Sequence, residues 1–215
     1  MTTAIEIAFW GCVALIAYAY AIYPIVVLTL AKLFGKSPIG YAPCSDGEPP
    51  SVSLLIAAHN EEQVIAQRIE NALALDYPAD RFEVVIASDG SSDNTARIIS
   101  GFKDERIRLL ESPVRRGKAT VLNAAFRHLR GEIVVLSDAN TFTDSAALRR
   151  IVRWFDDPNV GSVCGRLVLT DPATGRNVDS LYWRYETFLK TCEGRLGALL
   201  GANGAIYAVR RSNFA

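Results

Sequence analysis

Ile133-Val134-Val135-Leu136-Ser137-Asp138-Ala139-Asn140 is an apolar run that closes on an acid. It follows a helical stretch, Gly117 to Leu129, and the apolar run Phe82 to Ala87 ends upstream in the same way, on Ser88-Asp89-Gly90. Ligands of open α/β sheets collect in the crevice outside the carboxyl ends of the strands, so two acids at such ends make a site. Carboxylates there can hold a base, a ribose or a phosphate-bound metal, which points to a nucleotide-activated substrate.

The flanking sequence extends the pattern. Val52 to Ala58 is a continuous apolar strand, and Glu61 to Leu75 repeats apolar residues at Val64, Ile65, Ile69, Ala72 and Leu73 as a helix does. Asp93 to Phe102 is predicted as a short helix capped by Ser91 or Ser92, and Arg106 to Leu110 as a third strand. Strands alternating with helices at this spacing predict right-handed βαβ units, hence an α/β fold with a mainly parallel sheet covered on both faces.

Ahead of this lies an apolar segment of 25 residues, Ile7 to Ala31, without a charge. As a helix it spans about 37 Å, against about 30 Å of bilayer hydrocarbon. Its only early charge is Glu6 and no small-residue cleavage pattern follows, which disfavours a secretory signal peptide. Residues 1–34 therefore read as one transmembrane anchor, with Pro24 removing a backbone hydrogen bond inside it. Lys32 and Lys36 follow the span and no basic residue precedes it, which places the remainder in the cytoplasm by the positive-inside tendency. Residues 35–50, with three glycines and four prolines, read as a linker, and the folded domain as 51–215.

The chain carries 23 basic and 23 acidic residues among 215, a balance that argues against nucleic acid as a partner. Cys12, Cys44, Cys164 and Cys192 have no metal-type or redox spacing and are read as free thiols. Lys118 is not a P-loop lysine, because Ser112 stands where the first glycine would be.

Four motifs in order, Ile56-Ala57-Ala58-His59-Asn60-Glu61-Glu62, Ala87-Ser88-Asp89-Gly90-Ser91-Ser92-Asp93, Arg116-Gly117-Lys118 and Ser137-Asp138-Ala139-Asn140, resemble those of family 2 glycosyltransferases. The likeness runs from about Ser51 to Arg211 and implies the Rossmann-like GT-A fold of the cellulose and hyaluronan synthase superfamily. It also implies transfer of a sugar, with inversion, from a nucleoside diphosphate donor, with uridine expected as the base, to a saccharide or lipid-linked acceptor. A divalent cation, Mg or Mn, would bridge the two phosphates.

By the same resemblance His59, Glu61, Asp89, Lys118 and Asp138 bind the nucleotide-sugar, and Asp138 and Asn140 hold the metal. His59 stands where many members carry Tyr, and a histidine satisfied by a loop carbonyl is the plain alternative. Asp89 would meet the base, or else close a tight turn before Gly90. Asn140 replaces the second acid of Asp-x-Asp, and an amide oxygen ligates a hard cation without adding charge, so a weaker metal site is expected. Lys118, with Arg115 and Arg116, would face the donor or form a solvated basic turn.

Gly201, Asn203 and Gly204 resemble the segment near the donor sugar and acceptor, where small residues permit close backbone approach. The general base of the family lies in an acidic motif beyond this segment, so it is expected past Ala215. The helix-like stretch Val178 to Cys192 sets Leu181, Tyr185, Phe188 and Cys192 on one face, read as core packing. Two other classes stay open: a non-catalytic nucleotide-sugar binding or scaffold domain, and a nucleotidyltransferase. The latter is disfavoured because His59-Asn60-Glu61-Glu62 is acidic where a basic glycine-rich loop would stand.

Overall fold

Strand β1 (Val52–Ala58) is apolar on both faces because it lies inside a sheet covered on both sides. The computed structural model describes residues 2–36, 48–168, 180–197, 201 and 205–214. Side chains alternate across a strand, so Leu54 and Ile56 enter one core while Leu55 enters the other. Strand β2 (Phe82–Asp89) splits in the same way, Val84 and Ile86 against Val85 and Ala87, and β4 (Ile133–Asp138) sends Val135 one way and Val134 and Leu136 the other. Each fully buried Val, Leu or Ile contributes about 1.5–3 kcal/mol.

Helix α3 (Ile65–Leu73) lays Ile65, Ile69 and Ala72 on the first face, joined by α4 (Thr95–Gly101) through Ile99 and α6 (Ala147–Val152) through Leu148. Helix α5 (Lys118–Phe126) covers the second face with Val121 and Ala125. The sheet runs β3-β2-β1-β4-β6-β5, with β3 at Ile107–Ser112, β5 at Ser162–Cys164 and β6 at Ile206–Arg210. Strands β1 to β4 are mutually parallel, whereas β6 lies antiparallel between β4 and β5. The predicted α/β fold holds, and β5 and β6 are additions to it.

Two local expectations are corrected. Neither Ser91 nor Ser92 caps α4; the Asp93 carboxylate takes the Thr95 amide at 2.9 Å and the Thr95 hydroxyl at 2.6 Å instead. A carboxylate two residues before the helix reaches that amide in an Asx-type turn, which the serines stand too early to make. Regular helix α3 starts at Ile65 rather than Glu61, since Glu61 to Val64 form a turn in which the Val64 and Ile65 amides both donate to the Glu61 carbonyl.

The chain divides into two compact units, Met1–Gly40 with Val168–Gly201, and Tyr41–Leu167 with Ala202–Ala215. The sheet belongs to the second. In the first, α1 (Thr2–Ala17) and α2 (Tyr23–Leu33) form one helical run joined by a π turn at Tyr18–Ile22, where the Tyr23 amide reaches back to the Tyr18 carbonyl. Pro24 follows directly. In regular helix its ring would crowd the carbonyl four residues back, and the extra residue of the π turn relieves that clash. The segment Thr3–Leu33 is long and apolar enough to cross a membrane.

Within the same unit α7 (Leu181–Arg195) packs Cys192 with Val27 and Ala31, stacks Tyr185 on Tyr20, and receives the Tyr23 hydroxyl on Glu193 at 2.6 Å. The single apolar face predicted for this helix is only partly used. Leu181 is 82% exposed and Phe188 44% exposed, because the contact with α2 runs along the later turns of α7. Among the described residues Cys12, Cys164 and Cys192 are thiols outside any disulfide, and Cys44 lies outside the described residues.

Candidate functional site

In the sheet unit, β1 pairs with β2 on one side and β4 on the other, so Ala58 stands beside Ser88 and Ala57 beside Asp138. The chain winds outward from β1 through β2 to β3 and then crosses to β4 on the other side of β1, so the strand order reverses here and a crevice opens above the carboxyl ends. A cavity of about 290 Å³ occupies it, lined by His59, Glu61, Asp89, Lys118, Asp138 and Asn140, with Arg115 and Gly117 at its edge. Six residues predicted from four separate segments are thus brought together.

Asp89 does more than face this space. It is 4% exposed, and its two carboxylate oxygens accept the Arg116 amide at 2.6 Å and the Gly117 amide at 2.8 Å. Gly90 permits the approach: its φ is +62°, and a Cβ there would stand 2.4 Å from the Arg115 nitrogen. Only glycine fits both the left-handed backbone and the contact. The acid-glycine pair is therefore the seat of the basic loop, and the seated loop starts α5 at Lys118, whose ammonium donates to the Asp138 carboxylate. Lys118 is 55% exposed on its side chain, so this pair contributes little to stability and is free to re-form around an anion.

His59 donates from Nδ1 to the Asp89 carbonyl at 2.7 Å, the loop-carbonyl contact considered from sequence. A carbonyl only accepts, so this hydrogen bond sets a proton on Nδ1. The two acidic loops are laced together: the Glu61 amide donates to the Thr95 hydroxyl at 2.8 Å, and the Ser92 amide to the Asn60 side-chain oxygen at 2.8 Å. Asn60 sits at φ 55°, a conformation that Asn tolerates.

Two further residues lie near the site: Tyr207, which closes the segment from Gly201 whose resemblance points to the donor sugar and acceptor, and Arg68, which the sequence reading does not single out. Tyr207 of β6 stands opposite Leu136, where burial pushes its phenol up and the Lys118 and Asp138 charges act in opposite senses. Arg68 is fully buried on α3 and donates toward the Asp138 carbonyl and the Ser137 hydroxyl. Burial lowers its pKa to about 10, so it stays protonated at neutral pH. A signal for Arg68 existed, since Ile65, Arg68, Ile69 and Ala72 continue one helical stripe.

Gly201 is exposed, and a Cβ added there would meet nothing within 4 Å. Asn203 and Gly204 lie outside the described residues. No group of three His, Cys, Asp or Glu side chains able to hold a metal occurs among the described residues. Asp138 and Asn140 nevertheless fit a cation shared with a ligand's phosphates, because such ions take one or two protein oxygens and fill the remaining positions with phosphate and water.

Residues 53–213 match the family described as Glycosyl transferase family 2. The chain belongs to that family. This family 2 chain is 32% identical over 170 residues to the beta-monoglucosyldiacylglycerol synthase of Synechocystis, covering 74% of this chain and 35% of that one. It is equally 32% identical over 164 residues to the poly-beta-1,6-N-acetyl-D-glucosamine synthase of Staphylococcus epidermidis, covering 74% and 38%. Among solved structures it is similar to the mannosyltransferase PcManGT of Pyrobaculum calidifontis in complex with GDP-Man and Mn2+, with 31% identity, a TM-score of 0.72, and coverage of 93% and 55%. The chain spans about a third of the length of the curated relatives it matches.

Proposed function

We propose that this chain carries the donor-binding part of a membrane-anchored, inverting glycosyltransferase that transfers a sugar from a nucleotide-diphosphate sugar to a saccharide or lipid-linked acceptor. The observation that carries this reading is the cavity at the ends of β1, β2 and β4, which gathers the side chains of all four motifs.

In this reading His59 and Glu61 border the base and Asp89 keeps the loop at 115–118 seated over the nucleotide. Lys118 turns from Asp138 toward the diphosphate once the donor enters. Asp138 and Asn140 would hold a divalent cation, Mg or Mn, which when bound spreads the charge that develops on the departing diphosphate. Asp89 and Asp138 are engaged by loop amides and by Lys118, so neither is assigned the part of the base that deprotonates the acceptor. Gly201, Asn203 and Gly204 are proposed to approach the sugar or the acceptor.

The anchor is supported by the helix Thr3–Leu33, which leaves large apolar side chains such as Trp10 and Leu15 two-thirds exposed. Such a surface suits lipid as solvent. Lys32 and Lys36 then set the sheet unit on the cytoplasmic side, where nucleotide-sugars are made available to it.

Calorimetric titration of the full chain in detergent with UDP and with GDP, each with and without manganese, tests the reading. One of the two is expected to bind in a metal-dependent way, and Asp138→Ala should abolish the metal dependence while the melting transition remains cooperative. Binding by neither nucleotide, or metal-dependent binding that survives Asp138→Ala, overturns it.

A further inference from the structure

Arg68 is the only fully buried charged side chain among the described residues of the sheet unit, and no carboxylate accepts from it. Its Nε donates toward the Asp138 carbonyl at 3.4 Å, its Nη2 to the Ser137 hydroxyl at 3.2 Å, and its Nη1 to the Asn71 side-chain oxygen at 3.1 Å. A desolvated cation that meets only neutral acceptors is costly, so its place on an otherwise apolar helix stripe calls for a purpose beyond packing.

The partners show what it grips. Ser137 passes the interaction on, its hydroxyl donating to the Ala205 carbonyl at 2.8 Å just before β6. Asn71 lies one helical turn beyond Arg68, so the two project from the same side of α3. Its amide nitrogen donates to the Thr143 carbonyl at 2.9 Å, and its oxygen accepts the Thr143 amide at 2.9 Å and the Thr143 hydroxyl at 3.1 Å. Asn71 therefore binds Thr143 as a strand neighbour would. The segment from Asp138 to Thr143, which contains Asn140, is held at its first residue by Arg68 and at its last by Asn71.

We propose that Arg68 and Asn71 form a clamp on α3 that positions the Asp138–Thr143 loop, with Arg68 acting as a positioning residue for the Asp138 carboxylate and Asn140. The clamp stands on contacts within the protein. Its effect on ligand binding rests on the donor-site reading given above. Arginine is suited to the task because its planar fork can address a backbone carbonyl, a hydroxyl and an amide oxygen at once, which a lysine cannot.

Hydrogen exchange on the full chain in detergent reads the clamp without any ligand. Arg68→Lys keeps the charge and gives up the fork; Asn71→Ala leaves the arginine in place and releases Thr143. Each variant should speed exchange across Asp138–Thr143 by about tenfold, the effect of losing a hydrogen bond worth about 1.4 kcal/mol, while β3 exchanges as in the parent protein. Unchanged exchange at 138–143 in both variants overturns the clamp, and so does an equal acceleration across β3 in both. Titration with UDP or GDP and manganese then reads the consequence. Both variants should bind about tenfold more weakly with a preserved cooperative melt, and affinities equal to the parent's overturn the positioning role. If the parent itself binds neither nucleotide, the donor-site reading fails and the exchange experiment alone decides the clamp.

Discussion

Replacing Asp89 with asparagine separates a carboxylate that seats a loop from one that meets the ligand. The native side chain is almost completely buried and accepts two amides, at 2.6 and 2.8 Å, one on each oxygen. Asparagine has nearly the same shape but only one acceptor, so its amino group would face the Arg116 or the Gly117 amide, donor against donor. The loss comprises one hydrogen bond to a charged acceptor, worth about 1.5–3 kcal/mol, and leaves a partly buried amide without a partner. A destabilisation of about 2–3 kcal/mol is expected, equivalent to about 5–10 °C in Tm for a chain of this size. The assay is a chemical denaturation midpoint with hydrogen exchange over Arg115–Lys118, in which exchange should accelerate. A variant of parental stability and unchanged loop exchange, which nevertheless loses nucleotide affinity, would refute the reasoning and return the carboxylate to direct ligand contact.

Gly90→Ala should cost at least about 2 kcal/mol, because a Cβ would stand 2.4 Å from the Arg115 nitrogen at a φ of +62°; an equally stable alanine variant, measured by denaturation, would show that the loop is not seated there. Lys118→Ala should leave Tm within about 4 °C, since an exposed ion pair contributes about 0–1 kcal/mol, while raising the nucleotide Kd about tenfold through a lost phosphate contact; calorimetry that finds the reverse ordering contradicts the assignment. At the opposite end of the sheet Glu83 is burdened by burial, but hydrogen bonds from Ser53, Arg130 and Arg108 prevail and hold its carboxyl below the usual value of 4.5. Its contribution to stability is therefore complete above about pH 4.5 and is lost as pH falls through the depressed folded value. Glu83→Gln should flatten the stability profile in that acid window, and an unchanged slope in denaturation midpoints would count against the network.

The strands β1, β2 and β4 were legible in the sequence because a parallel strand buried on both faces needs an unbroken apolar run, and three such runs each end on a motif residue. Their order along the chain was enough to bring His59, Glu61, Asp89, Lys118, Asp138 and Asn140 to one crevice. The long apolar helix was equally plain, being a matter of local composition. Strand β6 was not, since its antiparallel place beside β4 depends on a pairing partner some seventy residues away that periodicity does not reveal. Nor could the sequence say where the carboxylate of Asp89 points: the glycine after it allows the loop at 115–117 to close over it, and two amides that are remote in sequence claim its oxygens. Arg68 marks the same boundary. A helical stripe admits it to the buried face and sets Asn71 one turn along the same helix, but only the folded sheet supplies the carbonyl of Asp138 and the hydroxyl of Ser137 that make a buried cation tolerable. Local patterning of apolar residues determined which elements form and which ends carry acids, whereas the pairing of each polar group was decided by tertiary contact, because hydrogen bonds select partners by distance and direction in space rather than by separation along the chain.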